Sequence, residues 1–292
     1  MPVAAFAAAK VNLYLHVIGR RADGYHLLDS LVAFADIGDR IEARPAAALS
    51  LAIEGSEAAG LTDAREDNLV LVAARRLAEH ARVAPCAALR LDKRLPVASG
   101  LGGGSSDAAA ALRALAELWR VPIGDEELAA VGAGIGADVP VCLYGRPAWV
   151  GGTGERLDPA EGLPPAGILL ANPRAPLPTA KVFAARQGPF GEPARFAPMP
   201  KDAAALARLL ARCRNDLTGA AIGLVPELAI LLDRLAALPG ALLARMSGSG
   251  ASAFALFADR TAAERAQQAL AAAEPEWWCR AGSLVAAAGL SR

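Results

Sequence analysis

The sequence predicts a protein of mixed strands and helices, and three patterns carry that prediction. In residues 10–18, Val11, Leu13, Leu15 and Val17 alternate with Lys10, Asn12, Tyr14 and His16, the period of a half-buried strand. Residues 69–82 and 107–119 instead set Leu69, Val72, Ala73 and Leu77, and then Leu112, Leu115, Leu118 and Trp119, at helical spacing. Between the alternating Ala87, Leu89 and Leu91 and the second helix lies a glycine-rich run. The local order is therefore strand, loop, helix.

The other elements follow along the chain. Lys10 and Asn12 sit two apart on the first strand and share a face. Residues 19–26, with two glycines and an Asp-Gly pair, read as a loop. Leu27–Ile37 is apolar and extended, and 41–53 offers further strands. Asn68 is placed to cap the helix that runs to about Arg82. A short helix is expected at 125–131, followed by the turn-like GIGADVPV at 134–141. The Pro/Gly-rich stretch 145–167 marks the best domain boundary, and the proline-rich 186–200 an exposed loop. Helices are expected at 202–214, 227–238 and 261–273. A Gly/Ser loop running into a strand is expected at 245–257, and a final strand near 278–287.

Bulk properties narrow the function. A length of 292 residues suits one or two domains. Lys plus Arg and Asp plus Glu are both 30, so net charge gives no reason to expect nucleic acid or an anionic membrane as partner. Any bound anion must be held by local geometry. The four cysteines, Cys86, Cys142, Cys213 and Cys279, form no CxxC pair and sit in apolar stretches, which fits free thiols in a reducing compartment better than disulfides or zinc. The N-terminus lacks the basic start of a signal peptide. No apolar run reaches the roughly 18 residues of a membrane span. A cytoplasmic protein is the expectation.

The loop Gly100-Leu101-Gly102-Gly103-Gly104-Ser105-Ser106 is the most informative segment. Glycine lets a ligand approach the backbone without a Cβ in the way. The helix behind it, expected to begin near Ser105 or Ser106, turns unpaired N–H groups and its positive end toward the loop. That combination suits phosphate. A Walker A loop needs Gly-Lys-Ser/Thr, and no Gly-Lys pair occurs in the chain. A Rossmann fingerprint needs a third glycine where Ser105 stands, and the serine-hydrolase GxSxG is absent.

Three segments in order resemble those of the GHMP small-molecule kinases: Ala9-Lys10-Val11-Asn12-Leu13, the loop from Pro96 to Ser106, and Met246-Ser247-Gly248-Ser249-Gly250-Ala251. Within that superfamily, the longer GLGGGSS loop followed by Asp is similar to the 4-diphosphocytidyl-2-C-methyl-D-erythritol kinases. So are RRADGYHLLDSL at 20–31, GADVPV at 136–141, PTAKVF at 178–183 and the pair Asn215-Asp216. The proline-rich 186–200 is the part that matches least.

The resemblance implies an α+β, two-domain GHMP kinase fold with the active site in the cleft between domains. It suggests an ATP-binding domain at 1–155, to which a last strand near 278–292 returns, and a C-terminal domain at 156–277. It implies transfer of the γ-phosphoryl of ATP to the 2-hydroxyl of 4-diphosphocytidyl-2-C-methyl-D-erythritol, in the non-mevalonate route to isoprenoid precursors. The catalytic pair maps to Lys10 and Asp138. The nucleotide residues map to Lys93, Pro96, Val97, Ala98, Ser99, Gly100, Leu101, Gly102, Gly103, Gly104, Ser105 and Ser106. The substrate residues map to Asn12, Tyr25, His26, Thr179 and Phe183. Mg2+ is implied with its ligands unassigned, and oligomeric state is left open. Residue chemistry agrees. Phosphoryl transfer needs positioning and charge neutralisation, and a pyrimidine needs a flat partner and an edge donor or acceptor, as Tyr25 or Phe183 and His26 offer. The alternatives are a GHMP kinase for mevalonate, homoserine or a sugar, and an inactive nucleotide-binding regulator. The cytidine residues argue against the first, and the Lys10–Asp138 pair against the second. His16 and His80 read as structural, and Arg208, Arg212 and Arg214 as a solvated face.

Overall fold

A computed structural model describes residues 1–61 and 67–285. In chain order its elements are β1 (Val3–Arg20), β2 (His26–Arg44), β3 (Ser50–Glu54), α1 (Leu69–Ala81), β4 (Ala88–Asp92) and α2 (Gly103–Leu118). Next come α3 (Asp125–Ala133), α4 (Val139–Tyr144), β5 (Ala148–Gly152), β6 (Arg156–Pro159), β7 (Gly167–Asn172), α5 (Thr179–Ala185) and α6 (Ala203–Leu210). The last are α7 (Thr218–Leu224), α8 (Glu227–Ala236), β8 (Leu243–Met246), β9 (Ala253–Phe257), α9 (Arg260–Ala273) and β10 (Trp278–Ser283).

One sheet runs β3-β4-β2-β5-β6, with β1 also paired to β2; a second runs β10-β7-β9-β8. β1 and β2 form a long antiparallel hairpin from Val3↔Ala43 to Arg20↔His26. The alternation in β1 predicted one wet face, yet residues 7–17 are buried throughout, Tyr14 and His16 included. Helix α2 packs on β1 and β2 from one side. The segment 191–196 lies along the strand: Gly191 N donates to Val17 O at 2.8 Å, and His16 Nδ1 meets Glu192 O at 2.8 Å. The proline-rich segment 186–200 is a largely exposed loop, as expected, and it is anchored at several points, with Ala194 N and Arg195 Nε donating to buried Asp29 and Phe196 set edge-on to Trp149.

Helix α1 starts at the expected cap: Asn68 accepts from Val70 N, and Arg82 closes the helix in the left-handed region. Helix α2 starts earlier than its serines predicted. Its N-cap is Gly102 at φ +64°, a conformation that suits glycine. Ser106 is spent elsewhere, its hydroxyl donating to Ala8 O at 2.8 Å. The turn-like GADVPV runs into the short helix α4, which Asp138 precedes at the N-cap position. Helix α7 was not anticipated. The segment 145–167 carries the hairpin β5–β6, which completes the first sheet. The boundary suggested at 155/156 would cut this hairpin, so we propose placing it after Pro159. The last strand, expected to return to the first domain, instead pairs with β7 in the second sheet. Its end does reach β2, through the bridge from Leu284 to Ala35, through Val285 N donating to Phe34 O and through Ser283 N donating to Asp36 Oδ1, both at 2.7 Å. The part of that expectation past 285 lies outside the described residues.

Candidate active site

A cavity of about 440 Å³ opens where β1, the loop before α2, the start of α5 and the loop 247–252 converge. Strand β1 brings two polar side chains to its floor. Lys10 Nζ stands 3.1 Å from Asp138 Oδ2 and donates to Asn12 Oδ1 at 3.2 Å. The Lys10 side chain is buried, whereas that of Asp138 is 47% exposed. Asp138 makes no capping bond to α4, so its carboxylate is left for Lys10 and for a ligand. Asn12 is held by its Nδ2, which donates to Ser30 Oγ at 2.8 Å.

Two glycine-containing loops dock against one another at the cavity edge. Ser247 Oγ accepts from Asn12 N at 3.2 Å and donates to Gly100 O at 3.1 Å. Ser252 N donates to Ser99 O at 2.9 Å. The fit is close: a Cβ on Gly100, at φ +75°, would lie 2.5 Å from Ser247 O, and one on Gly102 would lie 3.0 Å from Lys10 Cε. Asn215 fixes the later loop, donating to Met246 O at 2.9 Å and Gly248 O at 2.8 Å. Pro96, Val97, Ala98, Ser99, Gly100, Gly102, Gly103, Gly104 and Ser105 all line the cavity. Leu101 and Ser106 do not: Leu101 is buried, its carbonyl accepting from Lys10 N at 2.9 Å, and Ser106 faces the interior.

Lys93 also lines the cavity, beneath Gly103, where an added Cβ would meet Nζ at 3.1 Å. It donates to Asp39 Oδ2 at 2.5 Å and Asp107 Oδ2 at 2.7 Å, and all three groups are buried. Burial opposes the Lys93 charge, but Asp107 and Asp39 outweigh it and hold the ammonium above its ordinary range. Burial, aided by Asp39 and opposed by Lys93, pushes the Asp107 carboxyl up to about 7. The sequence reading named Lys93 but did not join Asp39 and Asp107 to it. Its only signal was an aspartate inside the apolar second strand.

The substrate-side residues divide. Thr179 and Phe183 line the cavity, and Thr179 Oγ1 shares a 2.9 Å hydrogen bond with Ser249 Oγ. His26 lies outside the lining, stacked on Phe183 with centroids 5.2 Å apart. Burial and the neighbouring Arg20 and Arg186 hold its imidazole below its ordinary range. Tyr25 is 67% exposed and is not drawn in with them. His16 is structural, as expected: Arg214 N donates to its Nε2 at 3.2 Å, which leaves Nδ1 to donate to Glu192 O.

This geometry can be set beside known proteins. The GHMP kinases N terminal domain family matches residues 68–146, and the GHMP kinases C terminal family matches 196–276. A 4-diphosphocytidyl-2-C-methyl-D-erythritol kinase of Rhodospirillum rubrum is 52% identical over 279 residues, covering 96% of this chain and 91% of the relative. The chain belongs to the 4-diphosphocytidyl-2-C-methyl-D-erythritol kinase family. Another member, from Cereibacter sphaeroides, is 54% identical over 291 residues, covering 96% of this chain and 99% of its own. A crystal structure of a 4-(cytidine 5'-diphospho)-2C-methyl-D-erythritol kinase superposes with a TM-score of 0.79 at 38% identity, covering 96% of this chain and 98% of that one. A homoserine kinase from Cytophaga hutchinsonii, at 19% identity and a TM-score of 0.69 over 98% of this chain and 95% of its own, shares the fold. Membership of this kinase family makes the chain an ATP-dependent small-molecule kinase of α+β GHMP fold. No helix among the described residues is long and apolar enough to cross a membrane.

Proposed function

We infer that this chain transfers the γ-phosphoryl group of ATP to the 2-hydroxyl of 4-diphosphocytidyl-2-C-methyl-D-erythritol, a step toward isoprenoid precursors. The observation that carries the reading is the Lys10–Asp138 pair, 3.1 Å apart, at a cavity walled by the glycine-rich loop on one side and by Thr179 and Phe183 on another. Asp138 takes the hydroxyl proton as the oxygen attacks phosphorus, and Lys10 orients that carboxylate and offsets charge on the transferred group. Backbone N–H groups of the loop 100–105 and the positive end of α2 hold the ATP phosphates. Asn12 and Thr179 contact the sugar-alcohol part of the substrate, and the His26–Phe183 pair receives the cytosine, with Tyr25 left to close over it from its exposed position. Because the two rings stack on one another, the base must slide against this pair or part it.

A magnesium ion bound with the nucleotide would supply charge neutralisation on its phosphates. No cluster of three or more His, Cys, Asp or Glu side chains suited to a metal occurs among the described residues. That donor set fits an ion carried mainly by the nucleotide's own phosphates and water. The four cysteines are unpaired thiols, which supports a cytoplasmic setting. The test is a coupled assay of ADP formation with the CDP-linked substrate, using homoserine, mevalonate and galactose as controls. Turnover with a control and none with the CDP-linked alcohol would overturn the reading.

A further inference from the structure

Glu57 and Arg174 form an ion pair that the chemistry above does not use. Glu57 stands in the turn after β3, and Arg174 follows β7 of the second sheet, 117 positions on. The contact is two-pronged: Arg174 Nη1 donates to Glu57 Oε2 at 2.8 Å, and Nη2 donates to Oε1 at 3.0 Å. Fork-to-carboxylate pairs of this kind are strong and directional. The Glu57 side chain is 7% exposed and that of Arg174 51%. A buried carboxylate suffers when the cation that meets it is removed. Each partner is tied separately to the nucleotide side of the cavity. Glu57 N donates to Lys93 O at 3.0 Å. The same turn runs on to Gly60, where an added Cβ would lie 3.0 Å from Val97 Cγ2. Leu61, Leu69, Pro96 and Val97 line the cavity, and a Cβ on Gly104 would meet Leu69 Cδ1 at 3.5 Å. An apolar wall therefore stands beside the glycine-rich loop, with the turn 57–61 behind it. From the other side, Arg174 N donates to Asn172 Oδ1 at 2.7 Å, Asn172 Nδ2 to Ser252 Oγ at 2.9 Å, and Ser252 N to Ser99 O at 2.9 Å. The ion pair closes a ring: from Glu57 to Lys93, along the chain to Ser99, and back through Ser252, Asn172 and Arg174. Arg174 takes its place in that ring at φ +61°, a conformation uncommon outside glycine.

We propose that Arg174, acting through Glu57, is a positioning residue for ATP: it holds the turn 57–61 against Val97 and so fixes the apolar wall that receives the nucleoside end. This rests on the kinase reading above. With the phosphates on the loop 100–105, the wall beside that loop is the surface left for a flat, largely apolar base. Neither Glu57 nor Arg174 lines the cavity, so both act through the wall and touch no ligand. Lys10, Asp138, Thr179 and Phe183 are held by other contacts. Loosening the pair therefore weakens nucleotide binding and leaves the chemical step and the CDP-linked substrate in place.

Arg174→Gln is the first probe, because half of that side chain is exposed and the variant should fold. In steady state its KM for ATP should rise about tenfold, the order of one lost charge-assisted contact. Its kcat and its KM for the CDP-linked substrate should stay near the parent's. Glu57→Gln should match it, and the double variant should be no worse than either single one. Arg174→Lys keeps the charge without the fork, and should recover part of the ATP affinity. A parent-like KM for ATP in Arg174→Gln would overturn the proposal even if the variant melts lower, since the pair would then be only a strut. Equal losses for both substrates, or a fall confined to kcat, would overturn it too. A parent that does not turn over ATP would overturn the kinase reading and this proposal together.

Discussion

The backbone N–H of Asn12 donates to the hydroxyl of Ser247, 235 positions later in the chain, at 3.2 Å. The same hydroxyl donates onward to Gly100 O. One serine thus links the strand that carries Lys10 to both glycine-containing loops. Ser247→Ala strands the buried Asn12 N–H, a loss of about 1–3 kcal/mol. The variant should melt lower than the parent and show a raised KM for ATP. An unchanged melting profile with unchanged KM would remove Ser247 from this role.

Gly100→Ala probes the fit between the loops. The added carbon would meet Ser247 O at 2.5 Å, at a residue held at φ +75°. Both the clash and the left-handed backbone act against it, the latter at a cost of about 1–2 kcal/mol. ATP affinity measured by calorimetry should drop much more than affinity for the CDP-linked substrate. Equal losses for the two ligands would point to general unfolding instead.

Lys10 and Asp138 should behave as one unit. Asp138→Asn keeps the shape and removes the base, so turnover should fall about 10²-fold or more while both substrates still bind. Lys10→Ala should do likewise, and the double variant should be little worse than either single one. Single-turnover rates decide this. A fully active Asp138→Asn enzyme would move the base role to water.

His26 offers a neutral imidazole at pH 7, because its pKa lies below the ordinary histidine value. Acidification adds a proton and removes its acceptor nitrogen. Affinity for the CDP-linked substrate should therefore fall on the acid side, below the ordinary histidine range, and hold steady above it. His26→Ala should abolish that acid limb and weaken this ligand by about 1–3 kcal/mol, with little effect on ATP. A limb that survives the substitution belongs to another group.

Asp29 is the buried anchor of the 191–196 segment, accepting from Tyr14 Oη at 2.6 Å, Ala194 N at 2.8 Å and Arg195 Nε at 3.2 Å. Asp29→Ala leaves three donors without their acceptor and should cost about 3–5 kcal/mol. Limited proteolysis should then cut within 186–200 well before the rest of the chain. Uniform cleavage would argue that the segment is held by its apolar contacts alone.

The sequence was most legible where local chemistry decides structure. Asn68 caps α1 as its side chain requires, and the spacing in α2 gave a helix because one face buries Leu112 and Leu115. It was least legible where distant segments decide. The alternation in β1 predicted water on one side, and distant segments exclude it: 191–196 and Arg214 at His16, and Gly102, Ser30 and Ser247 at Lys10 and Asn12. Ser105 and Ser106 suggested the helix start by capping preference, yet Ser106 bonds to Ala8 O and leaves the cap to Gly102. Within the site, motifs located Lys10, Asp138 and the glycine-rich loop. Asp39 carried no motif, because its meaning depends on Lys93, 54 positions away.

The β1–β2 hairpin belongs to no single part of the molecule. Ala7 of β1 lies in the core beneath α1 and α2, Val11 and Leu13 in the central core, and Leu15 and Val17 in the core beneath α7 and α8. Leu15 also exchanges backbone hydrogen bonds with Arg214 and Asp216. A beam set into every wall of a house cannot be drawn out of one room. Neither half of this chain retains a complete interior without the hairpin, so the halves should not survive separation. Heating should give one calorimetric peak in which the measured and van't Hoff enthalpies agree, with phosphoryl transfer lost along that same curve.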